Sequence, residues 1–303
     1  MKRTIRLKNN NKNYTSSYKR ILRGYHILSS EETVRKIAEE NYSIARFGDG
    51  ELAYINRVGL YFQSYNEEVA KRLDEILHSN EDKLLVGVPL AINAQFCDYY
   101  LGYAKEYWEN WLKKNKFKVL KMIQRKGKVY GSAQISRFYL DYKDKSRVKE
   151  YVNVLKKIWD KKDIVIIEGE KSRLGVGNDL FANAKSIQRI LCPAENAYDK
   201  YHEILEEAKK IDKNKTILLA LGPTATILSY DLYKLGYKTV DIGHVDIEYE
   251  WYLQGATTKV KIEGKYMGES GVMNQKEDPK ADRMNVKDVH DKNYESQIIK
   301  IIK

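Results

Sequence analysis

The chain reads as an α/β protein built on a mostly parallel sheet flanked by helices. Three observations predict this. Short β-branched runs alternate with longer amphipathic segments along most of the sequence, the pattern of strand–helix units. Two of the runs, "DIVIIEG" and "TILLALG", are apolar throughout, as strands covered on both faces should be. There is no internal repeat and no low-complexity tract, and 303 residues can bury a proper core in one large domain or two smaller ones.

In chain order, strands are expected at "YSIARF", "LLVGV", "KVYGS", "DIVIIEG", "TILLALG" and "KTVDIG". Helices are expected over Glu31–Asn41, Glu67–Ser79, Gln95–Leu112, Arg147–Trp159, Asp179–Leu191, Glu195–Ile211 and Thr224–Leu235. The first of these opens on a capping box, in which Ser29 and Glu32 can each bond the other's backbone N–H. The organisation expected is a basic arm over 1–24, one α/β domain over 25–256 and an extension over 257–303.

Composition narrows the class. Lys and Arg number 54 against 42 Asp and Glu, a net charge of +12 that suits an anionic partner. Two stretches hold no acid: Met1 to Ser30, and Lys113 to Lys128. Neither carries a nucleic-acid-binding motif, so nucleic acid is not the expected partner. Each reads first as a solvated face. The aromatic-then-basic segment from Phe96 to Lys128 could also meet an anionic membrane surface at its periphery. Cys97 and Cys192 stand too far apart in sequence to suggest a disulfide framework or a metal cluster, and no apolar run is long enough to span a membrane. A cytoplasmic location is the expectation.

In a parallel sheet, ligands sit beyond the carboxyl ends of the strands, so the strand-to-helix loops carry the function. In "GVGND", Gly175 and Gly177 allow close approach of a ligand to the backbone, with Asn178 and Asp179 at the expected helix start, where free N–H groups suit a phosphate. It is neither a Walker A loop nor a full G-x-G-x-x-G. In "LGPTAT", Gly222 ends a strand, Pro223 fits a first helical turn, and Thr224 offers a hydroxyl beside free N–H groups. Ser132 closes "KVYGS" in the same manner. In "GHVDIEYEW", His244, Asp246, Glu248 and Glu250 crowd a strand end. Asp246 and Glu250 would share a helix face, and two like charges there call for a cation or a substrate hydroxyl.

The stretch "RFGDGE" is the most telling. Asp-Gly between β-prone runs is the strongest short signal for a tight hairpin, and the motif alone is open to that reading. Asp49 and Glu51 are also hard oxygen ligands suited to Mg²⁺ or Mn²⁺, which typically takes one or two carboxylates and completes its shell with water and substrate phosphates. Gly50 leaves room for a diphosphate, and Arg46 could neutralise it. Together the loops suggest one pocket for a nucleotide diphosphate and a cation.

Four segments, "RFGDGE", "GVGNDLFANAKSIQRILCPAENAY", "LALGPTATILSYDL" and "DIGHVDIEYEW", resemble those of the bacterial glycosyltransferases of the GT-D fold, over roughly Tyr25 to Gly255. The resemblance implies a Rossmann-like sheet, a UDP-sugar donor and a D-x-E motif holding a divalent cation at the diphosphate, here Asp49 and Glu51. It also implies a glycan acceptor, on protein or a lipid carrier, in bacterial surface glycan or glycoprotein assembly. An acceptor hydroxyl needs a base as the new bond forms. Asp246 is the expected one, with Glu250 as runner-up and His244 as base, orienting group or metal ligand. A non-catalytic nucleotide- or glycan-binding module is the alternative, against which the surplus carboxylates of "HVDIEYEW" argue.

Overall fold

A computed structural model describes residues 22, 24–124, 126–267, 286 and 290–303. All six expected strands form: β2 (Ser43–Arg46), β3 (Leu84–Val88), β4 (Val129–Ser132), β5 (Asp163–Gly169), β7 (Thr216–Ala220) and β8 (Lys238–Asp241). Three more join them, β1 (His26–Ile27), β6 (Ser186–Cys192) and β9 (Ile298–Ile301). Among the described residues the sheet has nine strands in the order β1-β4-β3-β2-β8-β7-β5-β6-β9, and every pairing in it is parallel.

The helices are α1 (Ser30–Glu39), α2 (Asp49–Ile55), α3 (Glu67–His78), α4 (Gly102–Met122), α5 (Val148–Lys156), α6 (Tyr201–Ala208), α7 (Pro223–Lys234), α8 (Val245–Leu253) and α9 (Lys292–Gln297). The capping box at the start of α1 is present: Glu32 N donates to Ser29 Oγ at 3.2 Å and Ser29 N to Glu32 Oε2 at 2.8 Å. Successive strand residues point to opposite faces, and the core divides accordingly. Val165, Ile167, Ile217 and Leu219 pack with α2, α3, α4, α6 and α7. Ile164, Ile166, Leu218 and Val240 pack with α1, α5 and α8 on the other side. This two-sided burial is why the central strands read as continuous apolar runs.

Three expectations are corrected. The helix over Asp179–Leu191 does not form: residues 178–185 are turns, and Ser186–Cys192 is β6, paired with β5 along its whole length. "SIQRILC" is a β-branched run whose Arg189 must reach Glu168 on the neighbouring strand, and Leu180 and Phe181 turn inward to pack with Trp159. The helix placed over Gln95–Leu112 is instead α4, which starts at Gly102 and runs on through much of the basic stretch. The extension beyond residue 256 does not stand apart from the domain. Its last strand, β9, extends the sheet at β6, and Ile302 N donates to Leu191 O at 2.8 Å. Most of the basic arm expected over 1–24 and the stretches 268–285 and 287–289 lie outside the described residues. Among the described residues no helix is long and apolar enough to cross a membrane.

Candidate functional site

The chain leaves β2 towards β3 on one side, whereas it reaches β8 from β7 on the other. The adjacent carboxyl ends of β2 and β8 are therefore where connections diverge, the place at which an open parallel sheet leaves a crevice. Arg46, the last residue of β2, spans it. Its Nη2 donates to Asp241 Oδ1 of β8 at 2.8 Å, and its Nη1 to Ala133 O at 2.8 Å and Ser136 Oγ at 2.7 Å. Its buried Nε has no hydrogen-bond partner. Asp241 also accepts from Gly243 N at 3.1 Å, and burial raises its pKa while Arg46 opposes the rise.

Gly243 explains how tightly this corner is built. It has φ +50°, and a Cβ there would lie 2.1 Å from Arg46 Nη2. Because Arg46 is held at three points it cannot swing clear. Gly243→Ala is therefore expected to cost about 2–4 kcal/mol of stability through strain and a disturbed buried ion pair, measured by urea denaturation.

Immediately beyond Arg46, Gly48 caps α2, so Asp49, Gly50 and Glu51 form the first turn of a helix rather than a hairpin. Acidic residues are favoured there by the exposed N–H groups. Glu51 Oε2 accepts from Gly48 N at 2.8 Å, and the hydroxyl of Tyr107 on α4 donates to Asp49 Oδ2. Both carboxylates are half-buried. Burial pushes the Glu51 pKa up to about 7, with Asp241 and Asp49 adding to the rise. Two hard oxygen donors in one helical turn, with a third carboxylate below, form a local surplus of negative charge that suits a divalent cation. Among the described residues no group of three or more His, Cys, Asp or Glu is arranged to hold a metal, so the protein offers half a shell.

The loop after β5 makes a second cluster. Asp246, on α8, accepts from Gly175 N at 2.9 Å and from Asn178 Nδ2 at 2.7 Å, and Asn178 also reaches Glu250 Oε1 at 2.7 Å. The positive group beside this pair of carboxylates is Lys265. Its Nζ lies 2.6 Å from Asp246 Oδ2 and 2.9 Å from Glu250 Oε1. Asp246 is 1% exposed. Burial raises its pKa and Lys265 lowers it. A carboxylate whose oxygens are taken up in this way anchors the glycine loop to α8, a structural role beside the one expected of Asp246 as base. Gly175 (φ +77°) is closed in by Phe181, whereas Gly177 (φ +80°) has open space where a side chain would stand.

Gly222 has φ +56° and ψ −139°, and Phe62 lies over it, 2.5 Å from where a Cβ would be. Next to it, at the start of α7, Thr224 Oγ1 is buried with no hydrogen-bond partner, and Thr226 Oγ1 donates to Arg46 O at 2.8 Å. His244 is the N-cap residue of α8, one position beyond Gly243. Two of the marked residues are engaged elsewhere. Ser132, at the carboxyl end of β4, has its Oγ bonded to Ser30 Oγ at 2.9 Å and accepts from Gln134 N at 3.0 Å, capping the short turn Ala133–Ser136. Asp179 faces outward to Lys156 at 2.8 Å and Tyr249 at 2.6 Å.

Sequence reasoning named no role for Asp241, Glu248, Tyr107 or Lys265. Asp241 was legible as a charged residue ending an apolar strand. Lys265 and Tyr107 were not, because their partners are distant in sequence. Glu248 Oε1 accepts from Tyr139 N at 2.7 Å and Leu140 N at 2.8 Å, and burial pushes its pKa up to about 7, opposed by Arg137. Its pKa in the unfolded chain is lower, so between about pH 4.5 and 7 the folded state holds a proton that the unfolded state has released. Stability contributed by this site therefore falls as pH rises through that window, by on the order of 2–3 kcal/mol. Glu248→Gln, which keeps the accepting oxygen, is expected to flatten the slope in denaturation curves taken at pH 5, 6, 7 and 8.

Comparison with known proteins agrees with this architecture. The chain is 38% identical over 271 residues to "Glycosyltransferase GlyD" of Streptococcus pneumoniae, covering 89% of this chain and 31% of that protein. It is 39% identical over 243 residues to "Probable glycosyl transferase Gly" of Streptococcus gordonii, covering 80% of this chain and 35% of that protein. It thus spans about a third of the length of these relatives. Among solved structures it is similar to one reported as "The highly conserved domain of unknown function 1792 has a distinct glycosyltransferase fold", with TM-score 0.86, 39% identity and coverage of 95% of this chain and 99% of that one. Another, "A New Glycosyltransferase (DUF1792) from Streptococcus sanguinis", matches with TM-score 0.84 and 36% identity over 92% of this chain and 100% of that one. The family model described as "Glycosyltransferase GT-D fold" matches residues 44–270, from the strand that carries Arg46 past the lysine that bridges Asp246 and Glu250, and on this span the chain belongs to that family.

Proposed function

We propose that the chain is a glycosyltransferase domain that moves a sugar from a UDP-sugar to a glycan acceptor, with a divalent cation, Mn²⁺ or Mg²⁺, held by Asp49 and Glu51. The observation that carries this reading is the placement of that pair in the first turn of α2, at the divergence of β2 and β8, beside Arg46. When bound, the cation would neutralise the diphosphate and the departing UDP. Arg46, already fixed to Asp241, sets a positive group beneath the same position. Gly177, with space above it, and Thr224, with an unpartnered buried hydroxyl, are the nucleotide contacts that the geometry supports best. Asp246 and Glu250 hold the glycine loop through Asn178 and Lys265. That leaves His244, at the start of α8, for the proton of the acceptor hydroxyl.

Family membership and the names of the streptococcal relatives support glycosyl transfer as the activity; work on bacterial surface glycans or glycoproteins at the cytoplasmic side is part of the same proposal. The direct test is UDP release from a panel of UDP-sugars, with Mn²⁺, with Mg²⁺ and with EDTA. Metal-stimulated release from at least one UDP-sugar is the expected result; release that EDTA leaves unchanged contradicts the proposal.

A further inference from the structure

Helix α4 links the carboxyl end of β3 to the start of β4, and its first turns carry two tyrosines one turn apart. Tyr103 is 48% exposed and Tyr107 49% exposed. Each hydroxyl is held from below. That of Tyr103 donates to Asp141 Oδ1 at 2.9 Å and that of Tyr107 to Asp49 Oδ2. Asp141 follows β4 and Asp49 follows β2, so the two side chains reach towards loops on either side of β3. Their rings are thus fixed at the hydroxyl end and open to solvent. Tyr99, one further step back, is 62% exposed and lies 5.8 Å from Phe96.

We propose that Tyr103 and Tyr107 form an aromatic wall on which a sugar ring of the acceptor stacks, next to the Asp49–Glu51 pair. This rests on the glycosyltransferase reading for the identity of the ligand as an acceptor. The chemistry fits a pyranose. Its C–H face is weakly positive and meets the negative face of a ring, while the phenol oxygens offer polar contacts at the rim. An aromatic side chain with few rotatable bonds, already pinned by a carboxylate, loses little entropy on contact. Continuity with Asp49 selects the acceptor over an unrelated partner, because the sugar that stacks here lies beside the position where the donor's diphosphate would be held. Tyr107 has a second part as a positioning residue. Its bond occupies one oxygen of Asp49 and leaves the other free to face a cation.

The test is saturation-transfer NMR with methyl glucoside, methyl galactoside and methyl N-acetylglucosaminide as probes, in the presence of UDP and Mg²⁺. Wild type should contact the ring protons of at least one probe. Tyr103→Ala should weaken that binding roughly three- to tenfold, Tyr103→Phe, which keeps the ring but gives up the hydroxyl bond to Asp141, should lose clearly less, and Phe117→Ala, at the far end of α4, should bind as wild type does. Equal affinity in Tyr103→Ala, or no contact of any probe with wild type, overturns the proposal. The measurement needs no transfer. Probe binding that depends on Tyr103, in a protein that releases no UDP from any UDP-sugar, would count against the enzyme reading and leave this wall standing.

Discussion

Asp49→Ala is expected to lower sugar transfer by roughly 10²–10³-fold or more, the scale of losing a group that stabilises charge at the reacting centre. Diphosphate and the Glu51 carboxylate repel each other unless a cation lies between them, and Asp49 supplies half of the protein's share of that cation's shell. The fold should survive, because Asp49 is half-buried in the first turn of a helix and its side chain is bonded to Tyr107 rather than packed into the core. Circular dichroism and denaturation midpoints close to wild type, with UDP release near background, are the expected outcome. Full activity in a folded Asp49→Ala protein would remove the D-x-E pair from the chemistry.

Lys265→Met carries the largest expected effect on stability. It takes away the ammonium between two carboxylates of α8, one of them fully buried, and leaves Asn178 as their shared side-chain partner. Breaking a buried pair by removing one partner costs about 3–5 kcal/mol, since the other charge stays behind without compensation. Adding Asp246→Asn should recover much of the loss, because the surviving amide needs no counter-ion. A Lys265→Met protein as stable as wild type in urea would show that the cluster is not an anchor. The single variant should also loosen the Gly175–Asn178 loop and raise the dissociation constant for UDP.

Lys265 also marks the limit of what was legible. Apolar strands buried on both faces announce themselves, so six of the nine strands and the parallel architecture could be read directly. The edge strands could not. β1 is two residues long, and β9 follows a segment that reads as a tail. "LFANAKSIQRILC" has apolar residues at both spacings, and its strand is decided by pairing with β5 and β9, to which the Arg189–Glu168 ion pair adds. At the site, strand-end loops carried enough signal to place Arg46, Asp49, Glu51, Asp246 and Glu250 on one edge. That signal says which residues are present, not which are already occupied. The like charges on α8 called for a cation or a substrate hydroxyl; the group that faces them is a lysine of this chain, from beyond the expected domain boundary. Tyr107 and Asp241 complete the acidic corner through contacts between residues far apart in sequence, which no local pattern records.

The central claim is that a divalent cation couples Asp49 and Glu51 to the diphosphate of UDP. Isothermal titration of UDP into the wild type and into an Asp49→Asn/Glu51→Gln double variant, each with Mn²⁺ and with EDTA, tests it most directly. For wild type, Mn²⁺ should tighten UDP binding by at least roughly tenfold, the scale of a coupling of more than 1 kcal/mol between two ligands. The double variant should bind UDP weakly and equally in both conditions. The same Mn²⁺ enhancement in the double variant, or wild-type affinity unchanged by EDTA, would contradict the account.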